Sequence, residues 1–267
     1  MTKTFLRTVC MTVLLLALCC CVSGCFLASS INYQWINDLT NKTMQANFAV
    51  YVMRENYDIF GRVTESQQGL GSGVLFKKVT TQSSLDDSYE TDYYVLTNNH
   101  TVATSASFEK SIYKVKDYKG NVFNAEVVAR QAEYDLAVVK FTINEGEYSY
   151  QPLSIATKNP ETSVTVAAIG HPKGQSNAIT VGQVKGYGTA KSSSEEVQAV
   201  SAVEFEVIYH DAPIDVGNSG GALIAQNGEI VGINFAMTVD GEEGDSLGCA
   251  IPAEKVLEFL VSNDIAP

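Results

Sequence analysis

Beyond its first 25 residues the chain contains a single cysteine, Cys249, although the 267 residues include six cysteines in all. One cysteine has no partner, so no disulfide framework can form and the stability of the fold must come from a buried core. Basic residues are also scarce, because 18 Lys and Arg stand against 30 Asp and Glu, for a formal net charge of −12. A chain without a basic stripe releases few counterions from phosphates, so we expect no nucleic-acid partner.

The chain begins with a segment unlike the rest. Two basic residues among the first seven precede an apolar run at residues 9–22, which is shorter than the roughly 20 residues of a membrane-spanning helix. Val22, Ser23, Gly24 and Cys25 follow, and they resemble a bacterial lipobox, in which the cysteine is lipidated. We therefore predict a lipoprotein-type signal peptide at residues 1–24 and a lipid anchor at Cys25. An uncleaved anchor helix is the alternative, and both place the folded part in the bacterial cell envelope, outside the cytoplasm.

Residues 25–46 are polar and mixed, which favours a tether or a short helix, and β-strand patterns follow. Short runs rich in β-branched and aromatic residues, bounded by turn residues, recur in two sets. These runs are 48–52, 73–76, 93–97, 111–116, 122–129 and 136–141, then 164–169, 179–186, 203–209, 222–225, 230–235 and 247–250. Residues 78–92 are predicted to be a solvated loop.

The segment after Pro252 has apolar residues at helical spacing and is predicted to be a helix. The patterns predict an all-β fold of two packed six-stranded antiparallel β-barrels with a C-terminal helix. The predicted folded domain covers residues 47–267, with its barrels at about 47–145 and 160–267.

Three segments carry residues typical of nucleophilic catalysis. His100 follows one predicted strand, Asp135 precedes another, and Ser219 lies between glycines before a third. A serine hydroxyl needs a base to take its proton, imidazole titrates near neutrality, and a buried carboxylate can orient the imidazole. Ser219 is therefore a candidate nucleophile, with His100 as the base and Asp135 as the orienting group.

Chemistry also explains why glycines surround Ser219. Negative charge that develops on a carbonyl oxygen needs backbone N–H donors, and side chains in this turn would obstruct them. We assign these oxyanion-hole donors to Gly217 and Ser219.

Chain order decides between classes of serine hydrolase, because Gly217-Asn218-Ser219-Gly220-Gly221 also matches the nucleophile elbow of α/β-hydrolases. That class needs a histidine after the serine, and the last histidine here is His210. The subtilisin order would need an aspartate before His100 on a helix-wrapped parallel sheet, and those helices are not predicted. The order His100, Asp135, Ser219 is the chymotrypsin-type order.

On these segments the chain resembles the HtrA/Deg-type (high-temperature-requirement) trypsin-like serine proteases. The matching segments are Leu70-Gly71-Ser72-Gly73-Val74, residues 96–102 and 134–139, Ala168-Ile169-Gly170-His171-Pro172, residues 217–223 and Val231-Gly232-Ile233-Asn234. The resemblance covers about residues 45–262 and implies a double β-barrel, the triad and oxyanion donors named above, no cofactor, and protein or peptide substrates. Because the family acts on unfolded or damaged envelope proteins, the resemblance implies such substrates here. The family usually carries a PDZ domain, which we do not expect in this chain.

Alignment to that family places the specificity pocket at Ile214, Val216, Phe235 and Met237. Pro213 stands where trypsin has its selecting carboxylate, so we expect no preference for Lys or Arg. Small or medium aliphatic side chains are expected instead.

Further expectations concern metals, partners and alternative functions. Acidic residues crowd residues 240–245, and a solvated hairpin is favoured there over a calcium site, so no metal is expected. The resemblance also implies that the protein can form a homo-oligomer, a trimer, through contacts of the aromatic residues Tyr33, Trp35 and Phe48. A non-proteolytic chaperone or binding module, and a processing protease for one envelope partner, are the alternative functions.

Overall fold

The computed structural model describes residues 33–82, 88–144, 148–174, 178–189, 203–239 and 246–267. The predicted signal peptide, the lipidation site Cys25 and the acidic segment 240–245 lie outside these residues. The chain divides into two compact units, Met1–Asp38 and Leu39–Pro267, and both barrels belong to the second. Within the described ranges, no helix has the length and apolar character needed to cross a membrane.

The first barrel is closed and antiparallel. Its strands are β1 (Asn47–Tyr57), β2 (Val63–Gln82), β3 (Tyr89–Thr97), β4 (Lys110–Lys116), β5 (Val122–Gln131) and β6 (Leu136–Asn144). They lie in the order β1-β2-β3-β6-β5-β4, and β4 pairs with β1 to close the barrel. Helix α1 (Tyr33–Thr43) and a 3₁₀ turn (Met44–Ala46) precede β1, and the short helix α2 (Asn99–Val102) follows β3.

The second barrel repeats this architecture. Its strands are β7 (Thr165–Gly170), β8 (Ala178–Thr189), β9 (Glu206–His210), β10 (Ala222–Ala225), β11 (Ile230–Val239) and β12 (Ser246–Pro252). They lie in the order β10-β11-β12-β9-β8-β7, and β7 pairs with β10 to close the barrel. A 3₁₀ turn (Pro172–Gly174) follows β7, and helix α3 (Ala253–Ser262) follows β12. The predicted fold class of two six-stranded barrels and a C-terminal helix is confirmed.

The prediction of a loop over residues 78–92 is wrong at both of its ends, where the structure has paired strands. Strand β2 continues to Gln82 and β3 begins at Tyr89, and the two pair with each other from Val74↔Leu96 to Gln82↔Tyr89. The paired residues 78–82 and 89–90 are exposed, and polar residues therefore lie on both faces of these strand ends. The alternation that identifies a strand with one buried face is therefore absent from the sequence.

Aromatic side chains fill the first barrel. Phe48 is fully buried, and its ring centroid lies 5.2 Å from that of Phe141 and 5.1 Å from that of Tyr150. Such edge-to-face and tilted pairs add to the stabilisation from burial alone. The expectation that Phe48 contributes to contacts between subunits is therefore wrong, because the barrel core occupies its side chain.

Smaller aliphatic residues fill the second barrel, where Val166, Ile208 and Leu223 are fully buried. Cys249 is also buried and free, and burial raises the pKa of its thiol to about 12. A thiol that stays protonated is a poor nucleophile. The prediction that Cys249 is a small core residue is confirmed.

His171 is fully buried at the start of the turn after β7, and its two ring nitrogens have no hydrogen-bond partner among the described residues. Burial, with a smaller contribution from the charge of Lys116, lowers the pKa of this imidazole from 6.5 to about 4. The unfolded chain therefore binds a proton below pH 6.5 that the folded chain takes up only near pH 4. Because the unfolded chain binds more protons in this range, the free energy of unfolding falls as the pH drops from about 6.5 to about 4. Above pH 6.5 it does not depend on His171.

We expect the free energy of unfolding to decrease by about 2 kcal/mol between pH 7.5 and pH 5 because of His171, since pH 5 lies about 1.5 units below the ordinary pKa of 6.5 and above the lowered one. Urea denaturation at both pH values measures this. The control is His171→Leu, which removes the titrating imidazole, so its stability should vary less with pH. An unchanged pH dependence in that variant would show that other groups carry the effect.

Candidate active site

Residues from both barrels line a cavity of about 590 Å³. The first barrel contributes His100 and Leu70, and the second contributes the segment from Ile214 to Ser219. The cavity therefore brings together residues that are more than 100 positions apart in the sequence.

The side chains of His100 and Asp135 are in direct contact. His100 Nδ1 lies 2.8 Å from Asp135 Oδ2, and the backbone N–H of His100 donates to Asp135 Oδ1 at 2.9 Å. Asp135 is fully buried, whereas the His100 side chain is 12% exposed. A buried carboxylate that accepts both hydrogen bonds fixes the position of the imidazole and favours the tautomer with the proton on Nδ1.

Local backbone contacts hold Asp135 in this position. Its φ of +49° is in the left-handed region, which costs energy for a residue with a side chain. The Asp135 carbonyl accepts hydrogen bonds from Asn98 Nδ2 at 2.8 Å and from the Asn99 N–H at 3.1 Å. These bonds tie the turn before β6 to the start of α2, which carries His100.

Ser219 lies in a tight turn before β10, where Gly220 has a φ of +85°. A Cβ at Gly220 would lie 2.2 Å from the Ser72 carbonyl oxygen, so only glycine fits here. The Ser219 hydroxyl donates to the Phe235 carbonyl at 3.5 Å. In the part of the chain that the structure describes, no hydrogen bond joins His100 to Ser219. Such bonds are often long in unliganded enzymes and shorten when substrate binds.

Hydrogen bonds to the carbonyls of Val216 and Gly217 fix the peptide groups on both sides of Gly217. The Lys173 N–H donates to the Val216 carbonyl at 2.8 Å, which directs the Gly217 N–H away from Lys173, since the two groups of a trans peptide oppose each other. The Ser72 hydroxyl donates to the Gly217 carbonyl at 2.6 Å and accepts from the His171 N–H at 2.8 Å. With a φ of +101° and its Cβ position only 2.5 Å from the His171 carbonyl oxygen, residue 217 must be glycine.

The four residues assigned to the specificity pocket, Ile214, Val216, Phe235 and Met237, all line the cavity. Val216 is 75% exposed, whereas the Phe235 side chain is buried. The nearby Asp215 carboxylate does not stand free, because it pairs with Lys173 Nζ at 2.6 Å and accepts from the Val216 N–H at 2.7 Å. The hydrogen bond from Lys173 lowers the pKa of Asp215, so this carboxyl stays ionised.

Sequence reasoning gave no role to Ser72 or Lys173. Ser72 is fully buried, and both partners of its hydroxyl lie in the second barrel, 145 and 99 positions away. No local pattern in the sequence could reveal such contacts. His210, the remaining histidine, is buried beside the nucleophile turn, with Nε2 3.1 Å from Asn234 Oδ1.

Comparisons with known proteins find a matching domain family, similar sequences and a similar fold. The profile of the trypsin-like peptidase domain matches residues 71–233. The serine protease Do-like HtrA of Bacillus subtilis (strain 168) is 32% identical over 221 residues, which are 80% of this chain and 42% of that protein. The serine endoprotease DegS of Salmonella typhimurium (strain 14028s) is 33% identical over 175 residues, 63% of this chain and 45% of that protein. The chain thus spans less than half the length of these relatives.

A solved structure of the HtrA-type protease AlgW with a tripeptide gives a TM-score of 0.60 at 25% identity. The alignment covers 85% of this chain and 62% of that one. The match extends over most of the chain and includes both barrels.

Proposed function

Because the chain belongs to the family of trypsin-like serine peptidases, we propose that it is an endopeptidase that uses Ser219 as nucleophile, His100 as general base and Asp135 as orienting carboxylate. The observation that carries this proposal is the 2.8 Å contact between His100 Nδ1 and the buried Asp135, in a cavity that Ser219 also lines. With its proton on Nδ1, the imidazole has a free Nε2 to accept the serine proton.

The reaction then follows in two stages. Ser219 Oγ attacks the scissile carbonyl while His100 Nε2 takes the hydroxyl proton, and His100 returns that proton to the leaving amine as the peptide C–N bond breaks. Water, deprotonated by the same imidazole, hydrolyses the acyl-enzyme and restores the serine. The Asp135 carboxylate stabilises the imidazolium that forms in each stage.

The N–H groups of Gly217 and Ser219 bind the negative oxygen of the tetrahedral intermediate. Support for Gly217 comes from the hydrogen bond between Lys173 and Val216, which turns the Gly217 N–H away from Lys173. Donors that are positioned before the reaction need no reorganisation when charge develops, and this is the source of their catalytic effect.

The N-terminal segment indicates the protein's location, and the family resemblance indicates its substrates. We propose a signal peptide at residues 1–24, a tether or helix at 25–46 and a protease domain at 47–267, attached through a lipid at Cys25 in the cell envelope. The substrates are unfolded or damaged proteins. The cut follows small or medium aliphatic side chains, since Pro213 offers no carboxylate to a Lys or Arg and Lys173 already pairs with Asp215.

Incubation of the protein with casein, an unfolded substrate, tests this function. We expect fragments whose new C-terminal residues are mainly Ala, Val, Ile or Leu, with few Lys or Arg, as measured by mass spectrometry. The Ser219→Ala variant is the control for contaminating proteases. Binding of casein without cleavage would contradict the proposal and favour a chaperone, and cuts mainly after Lys or Arg would contradict the pocket assignment.

We expect Ser72→Ala to lower kcat for a peptide substrate about 10- to 100-fold, less than the loss of a whole oxyanion donor. The variant removes the hydrogen bond to the Gly217 carbonyl that orients the loop, while KM should change little. The affinity for a peptide aldehyde, whose adduct places an oxyanion at the same donors, should fall by a similar factor.

The matched control for Ser72→Ala is Thr97→Val. The Thr97 hydroxyl is also buried and donates to the Ser72 carbonyl at 2.7 Å, with no bond to the Gly217 loop. We expect this variant to lose stability but to keep kcat and aldehyde affinity near wild type. Equal losses of kcat in both variants would mean that Ser72 acts only on folding.

A further inference from the structure

The cavity that holds His100 and Ser219 has two chemically different ends. Its end in the second barrel is formed by the four apolar residues already assigned to the specificity pocket. Its end in the first barrel is richer in polar side chains, which include those of Arg54, Gln67, Gln68, Thr104 and Ser105. Among the described residues that line the cavity, Arg54 is the only lysine or arginine.

Arg54 lies on β1 and is buried, with 9% of the residue exposed. A charged side chain is costly to remove from water unless an opposite charge and hydrogen bonds compensate for the lost hydration. In the part of the chain that the structure describes, no ion pair includes Arg54. This cation therefore has no counter-charge inside the protein.

The carboxylates closest to Arg54 in the strands and in the cavity have other partners. Glu55, the next residue of β1, accepts a hydrogen bond from the Tyr57 hydroxyl. In β2, Glu65 Oε2 accepts from Asn56 Nδ2 at 3.1 Å. Asp215, which lines the cavity, pairs with Lys173 as described above.

The guanidinium of Arg54 also has unused donors. Its Nε–H and one N–H of Nη2 donate to the Ala103 carbonyl at 3.1 and 2.6 Å, and Nη1 donates to Gln67 Oε1 at 3.4 Å. Because a guanidinium has five N–H groups, one on each of Nη1 and Nη2 has no partner among the described residues. A Cβ at Gly69 would lie 3.4 Å from Nη1 and 3.9 Å from Nη2, so this glycine leaves that side of the guanidinium uncovered.

A second arginine adds positive charge at the same end of the cavity. Arg130 Nη2 donates to Thr104 Oγ1 at 3.4 Å, next to the residue that Arg54 contacts, and it forms no ion pair within the described ranges. Two unpaired arginines at one end of a cleft attract anions. They stand out in a chain whose formal net charge is −12.

We propose that this end of the cavity binds a carboxylate of the substrate, on the segment that follows the scissile bond, through the unused N–H groups of Arg54. The inference rests on the proposed function and deepens it, because it names an acidic feature of the substrate. A peptide whose side chain before the bond occupies the apolar end continues past His100 into the first barrel with the residues after the bond. The carboxylate comes from an Asp or Glu side chain or from the C-terminus of the substrate.

A carboxylate supplies what Arg54 lacks. Hydrogen bonds between a guanidinium and a carboxylate are shorter and stronger than those between neutral groups, and the carboxylate also brings the counter-charge that a buried cation needs. A glutamine of the substrate at the same place offers an acceptor without the charge. The comparison of Glu with Gln in the substrate therefore isolates the effect of charge.

Two sets of peptides with one common acyl half test this proposal. The first set is amidated at its C-terminus and carries Glu or Gln at one of the four positions after the scissile bond. The second set contains no acidic side chain, has one to four residues after the bond, and ends in a free carboxylate or an amide. We expect kcat/KM to be about tenfold or more higher for the carboxylate at one position of either set. A preference in the first set assigns the site to an acidic side chain, and one in the second set alone assigns it to a C-terminus.

The deacylation rate distinguishes the two sides of the scissile bond. It should be the same for every peptide, because the leaving segment has departed from the common acyl-enzyme. Glu and Gln placed before the bond should give equal kcat/KM. A preference for Glu on that side alone would overturn the placement.

Variants of the protein test the role of Arg54. Arg54→Gln should bring the ratio of kcat/KM for the Glu and Gln peptides close to one, whereas a loss of folding alone lowers both values equally. Gln67→Glu keeps the arginine but places a carboxylate beside Nη1, at an exposed position, and should also remove the preference. The matched control is Ser66→Glu, which adds the same charge at an exposed neighbour that does not line the cavity and should keep the ratio.

The outcomes separate this inference from the proposed function. Ratios within about twofold of one at every position in both peptide sets, or a preference that both Arg54→Gln and Gln67→Glu retain, would overturn the carboxylate site and leave the endopeptidase standing. Failure to cleave any peptide would overturn both.

Discussion

The Ser219→Ala variant is expected to lose nearly all proteolytic activity, with kcat lower by on the order of 10⁶-fold. Without the hydroxyl no acyl-enzyme can form, and His100 and Asp135 have no nucleophile to activate. The remaining groups, including the Gly217 N–H, can still bind and polarise a peptide carbonyl, so substrate binding should be largely kept. Cleavage of a fluorogenic peptide measures the rate, and fluorescence anisotropy of the same sequence measures the binding.

Labelling with a fluorophosphonate checks the assignment independently of any substrate. Wild type should be modified at Ser219, identified by peptide mapping, and the variant should not be modified. Residual cleavage of more than a few per cent, persistent across preparations, would mean that another residue is the nucleophile.

The Asp135→Asn variant is expected to fold and to bind substrate, but with kcat lower by about 10⁴-fold. An amide in this buried position can donate to His100 Nδ1, which stabilises the tautomer with the proton on Nε2. That tautomer cannot accept the proton of Ser219. The loss should therefore appear in kcat rather than in KM, in assays at neutral pH with the same peptide.

A second buried carboxylate supplies the control for Asp135→Asn. Asp117 accepts from the N–H groups of Lys119 and Asn121 and from the Tyr150 hydroxyl, and it does not line the cavity. Asp117→Asn should cost stability without a comparable loss of kcat. If both variants lost activity in proportion to their stability, Asp135 would have a structural role only.

The regular parts of this fold can be predicted from short-range patterns. Strand β10 is a continuous apolar run, and β6 begins with one over residues 136–139. The order of His100, Asp135 and Ser219 along the chain is enough to favour one class of serine hydrolase. The exposed hairpin ends are harder to predict, because strands with polar side chains on both faces have no alternation of buried and exposed positions. Residues 78–82 and 89–92 are of this kind, and their pattern resembles that of a loop.

The contacts around the oxyanion loop could not be predicted, because they join distant parts of the chain. Ser72 belongs to a segment identified only by resemblance, and its hydroxyl meets Gly217 across the two barrels. The pairing of Lys173 with Asp215 also depends on two turns that are far apart in sequence. Chemistry at a site between domains is determined by how those domains dock, which local patterns do not encode.

The hydroxyl of Ser72 lies where the two barrels meet, with its backbone in one and both hydrogen-bond partners in the other. A small rotation of one barrel against the other would separate these atoms while every strand kept its own partners. Mild heat or denaturant would then abolish the proposed peptidase activity before either barrel lost its secondary structure. If the protein has the proposed function, the Ser72 hydroxyl makes peptide hydrolysis depend on the correct docking of the two barrels against each other.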